Sequence, residues 1–233
     1  LFRSDVKSKA WLRHYFEEHI YPVVTPLAVD SGHPFPFLTN HTINAIVRIF
    51  QIQPDGTKDY KIAILPIPSV LDRIIEIPSR GNKEHRFVYL EDVITYYANQ
   101  FFQGYGIEDY MVFRITRDAD LEIDEEEATD LLSEVEASLR RRRRGDAVRL
   151  EVCGEVKDNL LDFVLTSVEL EPKDVYRIDG HLDCRMYFNF CNYPGLDQLR
   201  YVPFEPKLPS ELVNHEGESL FSVIGKQDLF VHH

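Results

Sequence analysis

Apolar positions along this chain change period repeatedly, and each change marks an element. Trp11, Leu12, Tyr15, Phe16 and Ile20 recur at helical spacing and predict an opening helix, which Pro22 and Pro26 stop. In His33-Pro34-Phe35-Pro36-Phe37 two prolines block helix and sheet ladder alike, so an extended loop presenting two aromatic rings is expected. A β-rich run from Thr42 to Ile52 and an apolar run from Ile62 to Ile67 flank the turn residues Pro54-Asp55-Gly56, the pattern of a hairpin. Short strands are expected at Ile74 to Ile77 and Arg86 to Tyr89. Leu90, Val93, Ile94, Tyr97 and Phe101 then mark an amphipathic helix with Glu91 and Asp92 in its first turn, ended by Gly104 and Gly106.

The second half continues the mixture. Tyr110 to Thr116 alternates as a strand, with Met111, Phe113 and Ile115 on one face. Ala128, Leu131, Leu132, Val135 and Leu139 form a helical stripe, acidic at its start from Asp124 to Glu127 and basic at its end from Arg140 to Arg144. Ala147 to Cys153 reads as a strand, Leu160, Leu161, Val164, Leu165 and Val168 as a helix, and Val175 to Ile178 as a short strand. Beyond Asp179-Gly180 aromatic residues and prolines accumulate, and a domain edge is expected near Pro203 to Pro209. Strands and helices interleave without a strict strand-helix-strand cadence. The expected fold class is therefore α+β: a single mixed-sheet domain with packed helices, preceded by a separate helix.

Composition narrows the possibilities. With 44% hydrophobic residues the chain has the material for a core, and no stretch approaches the roughly 18 apolar residues of a membrane span. Lys and Arg number 26 against 39 Asp and Glu, a net charge of −13. Such a chain lacks the basic field that nucleic acid or anionic lipid attracts, so no nucleic-acid partner and at most peripheral membrane association are expected. The start, Leu1 to Glu18, carries no apolar signal core, and a cytoplasmic location is expected. Cys153, Cys184 and Cys191 are odd in number and form no CxxC pair, so they read as small buried thiols in a reducing compartment.

Candidate chemistry is sparse. Neither GxxxxGK[ST] nor GxGxxG occurs, which excludes a P-loop nucleotidase. His14 and Glu18 share a helix face, but the spacing is not HExxH and no third ligand accompanies them, so no metal site is expected. Asn40-His41-Thr42 is a formal glycosylation sequon, discounted without a secretory signal. Arg117 leaves a strand just before Asp118 and Asp120: either it clamps a phosphate or carboxylate, or it belongs to a strand-end ion pair whose carboxylates cap the next helix. Arg140 to Arg144 either attracts a polyanion or satisfies a helix dipole while Arg140 pairs with Glu136. The candidate phosphate-binding residues are thus Arg117, Arg140 and Arg141. No nucleophilic triad stands out, and no catalytic residue is nominated.

Several strings, taken in order, resemble the polyphosphate kinase family of the histidine-phosphorylating type, which makes inorganic polyphosphate from ATP. They are Tyr21 to Asp30, His33 to Phe37, Phe113 to Leu121, Arg140 to Val152, Asp174 to Gly180 and Asp228 to His233. The resemblance implies that residues 1–25 are the last helix of an N-terminal helical domain, 26–205 a middle or head domain, and 206–233 the lead-in to the first of two catalytic domains similar to phospholipase D. It also implies that the phosphorylated histidine and the phosphate- and magnesium-gripping arginines lie beyond His233, and the adenine-contacting asparagine before Leu1. His232 and His233 then belong to an approach segment, and no catalytic or cofactor-binding residue carries over. For the intact enzyme the family implies ATP and magnesium as cofactors, bound mainly outside this segment, with none expected within it. It further implies polyphosphate as partner, a homodimer or higher homo-oligomer, and a head domain that makes dimer contacts and walls a tunnel. Two alternatives stand beside this reading. One is a stand-alone polyanion-binding module using Arg117 and Arg140 to Arg144. The other is a small phosphatase-like hydrolase, which needs a catalytic histidine that none of the nine marks out.

Overall fold

A computed structural model describes residues 6–78, 85–118, 145–205, 207, 210–213 and 217–230. The chain divides into two compact units, Leu1–Met186 and Tyr187–His233. In the first, helix α1 (Val6–Tyr15) runs into a π-helical turn, Phe16–Ile20. Strands β1 (Leu27–Val29), β2 (Ile43–Ile52), β3 (Lys58–Pro66), β4 (Ile74–Ile77) and β5 (Arg86–Tyr89) follow. Helix α2 (Leu90–Tyr96), β6 (Gly106–Arg117), β7 (Ala147–Cys153), helix α3 (Asp158–Val168) and β8 (Val175–Ile178) complete it. The second unit holds short helices α4 (Ser210–Val213) and α5 (Leu220–Ile224).

Six strands form one sheet in the order β1-β3-β2-β6-β7-β8, and β4 pairs with β5 as a separate ribbon. Neighbours in the large sheet are antiparallel except β7 and β8, which are parallel. Parallel neighbours need a crossover, and α3 supplies it. The sheet is mixed, and the fold is the expected α+β class.

Each face of the sheet carries its own core. Ile46, Ile64, Met111, Phe113, Ile115, Leu150 and Val152 pack under Leu160, Leu161, Val164 and Leu165 of α3. Ala45, Val47, Ile49, Leu65 and Val112 pack under Leu12, Phe16 and Ile20 of the opening helix, α2, and the β4-β5 ribbon. Central strand β2 is accordingly buried on both faces from Ile43 to Val47, which alternation alone does not produce.

Boundaries shift where packing takes over. β3 begins at Lys58 rather than Ile62, because the ladder to β2 continues through exposed polar residues to the pair Ile52 and Lys58. α2 stops at Tyr96, and residues 98–100 tighten into a 3-10 turn after Tyr97 leaves helical geometry at φ −98° and ψ 15°. Phe101 lies beyond the helix yet still packs edge-on to Phe16, with ring centroids 5.5 Å apart. Gly106 does not end that helix; it opens β6, where the Phe50 ring lies 2.4 Å from the place a Cβ would take. The expected helix from Asp124 to Arg144 lies outside the described residues.

Candidate functional site

Arg117 stands at the end of β6, where three chain segments meet. Asn40 reads its backbone from both sides: Asn40 Oδ1 accepts from Arg117 N at 2.9 Å, and Asn40 Nδ2 donates to Arg117 O at 3.3 Å. His41, at φ 61°, adds a bond from its amide to Ile115 O. The guanidinium donates through Nε to Leu38 O and through Nη1 to Gly145 O, each at 3.0 Å. Its carbon also sits 4.2 Å from the centre of the Phe37 ring. Burial lowers the Arg117 pKa, with nearby Asp146 opposing that shift. Gly145 is confined as well, since a Cβ there would lie 1.8 Å from Asp118 O.

The two aromatic rings expected in the loop have different places. Phe35 turns inward toward Phe163, with centroids 6.3 Å apart, while Phe37 stays half exposed beneath Arg117. A cavity of about 400 Å³ beside them is lined by Phe35, Phe37, Arg117, Asp146, Ser167 and Glu169. Glu169 caps α3 in the left-handed conformation, so the cavity meets the carbonyl end of that helix. One cation here faces two carboxylates and a negative dipole end. Among the described residues no carboxylate lies within ion-pair distance of Arg117; its partners are carbonyls and a ring. Arg140, Arg141 and Asp120 lie outside the described residues.

A second polar cluster carries no sequence motif. Glu91, only 2% exposed, accepts from Arg73 Nε at 3.1 and 3.2 Å and from Arg73 Nη2 at 2.5 Å. His181 Nδ1 lies 3.2 Å from Glu91 Oε1 and His181 Nε2 lies 3.8 Å from Asp92 Oδ2, with the ring against Tyr89. Arg73 Nη1 continues to Asp183 O at 2.9 Å. The Asp183 carboxylate meets Arg185 at 2.6 Å and Arg114 at 3.5 Å, and Arg114 pairs with Glu151 across the β6-β7 ladder. The Arg185 hydrogen bond, helped by Arg114 and opposed by burial, holds the Asp183 carboxyl down to about 2. Burial raises the Asp92 carboxyl, with Glu91 adding to the rise and His181 working against it.

The thiols differ from expectation. Cys153 is half-buried and donates to Gly180 O at 2.9 Å, whereas Cys184 and Cys191 are exposed. Burial raises the Cys153 pKa, and the Asp92 and Glu91 charges raise it further. Cys184 and Cys191 lie at the start and near the end of the 3-10 turns Cys184–Asn192 that follow β8. His14 and Glu18 form an exposed pair at 3.2 Å. Among the described residues no group of three or more His, Cys, Asp or Glu is placed to hold a metal ion. Nor is any described helix long and apolar enough to cross a membrane.

This arrangement, an α+β domain whose polar residues mostly tie its own segments together, has counterparts among known proteins. The family model described as the polyphosphate kinase middle domain matches residues 7–190, and the chain belongs to the polyphosphate kinase family. A polyphosphate kinase of Pseudomonas putida is 37% identical over 228 residues, which are 97% of this chain and 31% of that protein. One of Halalkalibacterium halodurans is 39% identical over 230 residues, covering 97% of this chain and 32% of its own length. The crystal structure of polyphosphate kinase from Porphyromonas gingivalis superposes with a TM-score of 0.70 at 23% identity, over 96% of this chain and 31% of that one, and shares its fold. The chain spans about a third of the length of the curated relatives it matches.

Proposed function

We propose that this chain is the head-domain portion of a polyphosphate kinase and acts as scaffold, with the chemistry carried elsewhere in the enzyme. The observation behind this reading is Arg117. As the described member of the candidate phosphate set, it gives Nε to Leu38 O and Nη1 to Gly145 O and lays its face on Phe37, contacts that tie segments of the domain together. The reaction proposed for the intact enzyme is reversible. A histidine nitrogen attacks the ATP γ-phosphorus and ADP leaves; the terminal oxygen of polyphosphate then takes the phosphoryl group, lengthening the polymer and freeing the histidine. In this reading ATP and magnesium bind mainly outside this chain. In this reading the domain contributes dimer contacts and a tunnel wall, and the enzyme is cytoplasmic.

The test is turnover. The 233-residue chain, incubated with ATP and magnesium, is expected to make no acid-precipitable phosphate polymer, and polymer formation overturns the scaffold reading. The alternative module, which uses Arg117 and Arg140 to Arg144, requires binding of long-chain polyphosphate that weakens steeply as salt rises. Such binding, lost on changing Arg140 and Arg141 to Ala, would favour the module.

A further inference from the structure

One helix cannot cover a face of six strands. α3 is roughly 10 Å across, about two strand spacings, and it packs along β6. Phe35 and Leu38, from the loop before β2, fill part of the face that remains. Between α3 and the β1-β3-β2 side of the sheet there is still a cavity of about 400 Å³, a size within the range of small-molecule sites. Val29, Ile62, Leu160 and Phe163 give it apolar walls.

Arg48 brings a charge to these walls. It follows the core residue Ile46 on the same face of β2 and stands opposite Ile62 of β3. A bulge in β6 helps to hold it. Asp109 pairs with Arg48 and Ile107 with Ile49, which leaves Glu108 without a place in the ladder. The Glu108 carboxylate accepts from Tyr60 Oη at 3.0 Å and lies 3.5 Å from Arg48 Nε. The Tyr60 ring, fixed in this way, sits 4.2 Å from the guanidinium carbon. The guanidinium is thus held by its Nε edge and one face, and its two Nη groups donate to nothing among the described residues. Asn159, in the first turn of α3, lines the same cavity, and its side-chain amide is likewise without a hydrogen bond among the described residues. The other two lining charges are already engaged. Lys61 Nζ donates to Tyr105 Oη at 3.1 Å, and Asp30 Oδ1 accepts from Gly32 N and His33 N at 2.8 and 2.9 Å.

We propose that this cavity binds a small aryl carboxylate, with the carboxylate on the Arg48 Nη groups and Asn159 Nδ2 and the ring over Ile62 between Val29 and Phe163. The donors and the walls together select that chemistry. A planar guanidinium fork matches a carboxylate through two parallel hydrogen bonds, and apolar walls reward the burial of carbon. Polyphosphate offers nothing for such walls to cover. The site is therefore separate from the reaction proposed for the intact enzyme, and it stands or falls independently of the scaffold reading.

Titration of the 233-residue chain with naphthoate, followed by nitrogen–proton correlation spectra, tests this. Saturable shifts are expected at the amides of Val29, Ile62, Asn159 and Phe163, and the neutral analogue naphthylmethanol is expected to bind roughly tenfold more weakly. Arg48→Met keeps an apolar stem over Tyr60 and should weaken naphthoate about tenfold while leaving naphthylmethanol unchanged. Asn159→Ala, a change at an exposed position, should weaken naphthoate about threefold. The proposal is overturned if millimolar naphthoate gives no saturable shifts, if the shifts centre elsewhere, if acid and alcohol bind equally, or if a folded Arg48→Met binds naphthoate as the unaltered chain does. Should Arg48→Met not fold, the acid and alcohol comparison on the unaltered chain still decides the question.

Discussion

Arg117 and Arg73 are both half-sequestered arginines on the same domain, and they are held in opposite ways. Arg117 meets neutral carbonyls and a ring, drawn from the loop before β2 and from Gly145, two residues before β7. Arg73 meets a carboxylate that is itself almost wholly buried, with His181 and the Asp183 carbonyl around it. The first arrangement ties three segments together without needing any other charge. The second is a mutual dependence, in which each ion is tolerable only because the other is there.

That contrast is broken most severely at Glu91. Glu91→Ala leaves the Arg73 guanidinium, 15% exposed, without its carboxylate, and a loss of about 3–5 kcal/mol in unfolding free energy by urea titration is expected. A loss under about 1 kcal/mol would mean the pair is far less interdependent than its burial implies. At Arg117 the effect is smaller, since carbonyls can be rehydrated more easily than an ion. Arg117→Met keeps the length and the Phe37 contact but removes both carbonyl bonds, and a cost of about 2 kcal/mol is expected in the same titration.

The smallest effect distinguishes the two regions by pH. The Asp183 carboxyl is held at about 2 in the folded chain, below its ordinary 3.8, so its contribution is fully present above about pH 4 and is lost as pH falls through about 2. Because Arg185 is largely exposed, the contribution is about 1 kcal/mol. Asp183→Asn should remove this acid-side loss from a stability profile taken between pH 5 and 2, whereas Arg117→Met should leave it unchanged.

Much of the fold was legible in the sequence because periodicity reports what each residue needs locally. β4, β5, β7 and β8 lie where alternation and flanking polar loops put them, and the stripe Leu160 to Val168 is the buried face of α3. The opening helix continues through a π-helical turn that no pattern of apolar residues announces. Gly106 looked like a helix stop and proved to be the place where the Phe50 ring crosses a strand. At the candidate site, Arg117 was visible as a cation at a strand end, but its partners were not. Leu38, Asn40 and Gly145 lie 79, 77 and 28 residues away in sequence, and nothing local advertises a carbonyl as an acceptor. Glu91 was read as a charge favouring a helix start, and its buried partners Arg73 and His181 lie 18 and 90 residues away in sequence.

The sequence by itself determined the α+β class, the positions of most strands and the family, since these rest on spacing and on strings of neighbouring residues. Only the tertiary structure decided that β7 and β8 run parallel, that Arg117 is engaged by carbonyls, and that Arg73, Glu91, His181 and Asp183 share one buried network. Those outcomes depend on which segments, far apart in the chain, are brought within about 3 Å of one another, and hydrogen bonds at that range are settled by packing rather than by sequence neighbours.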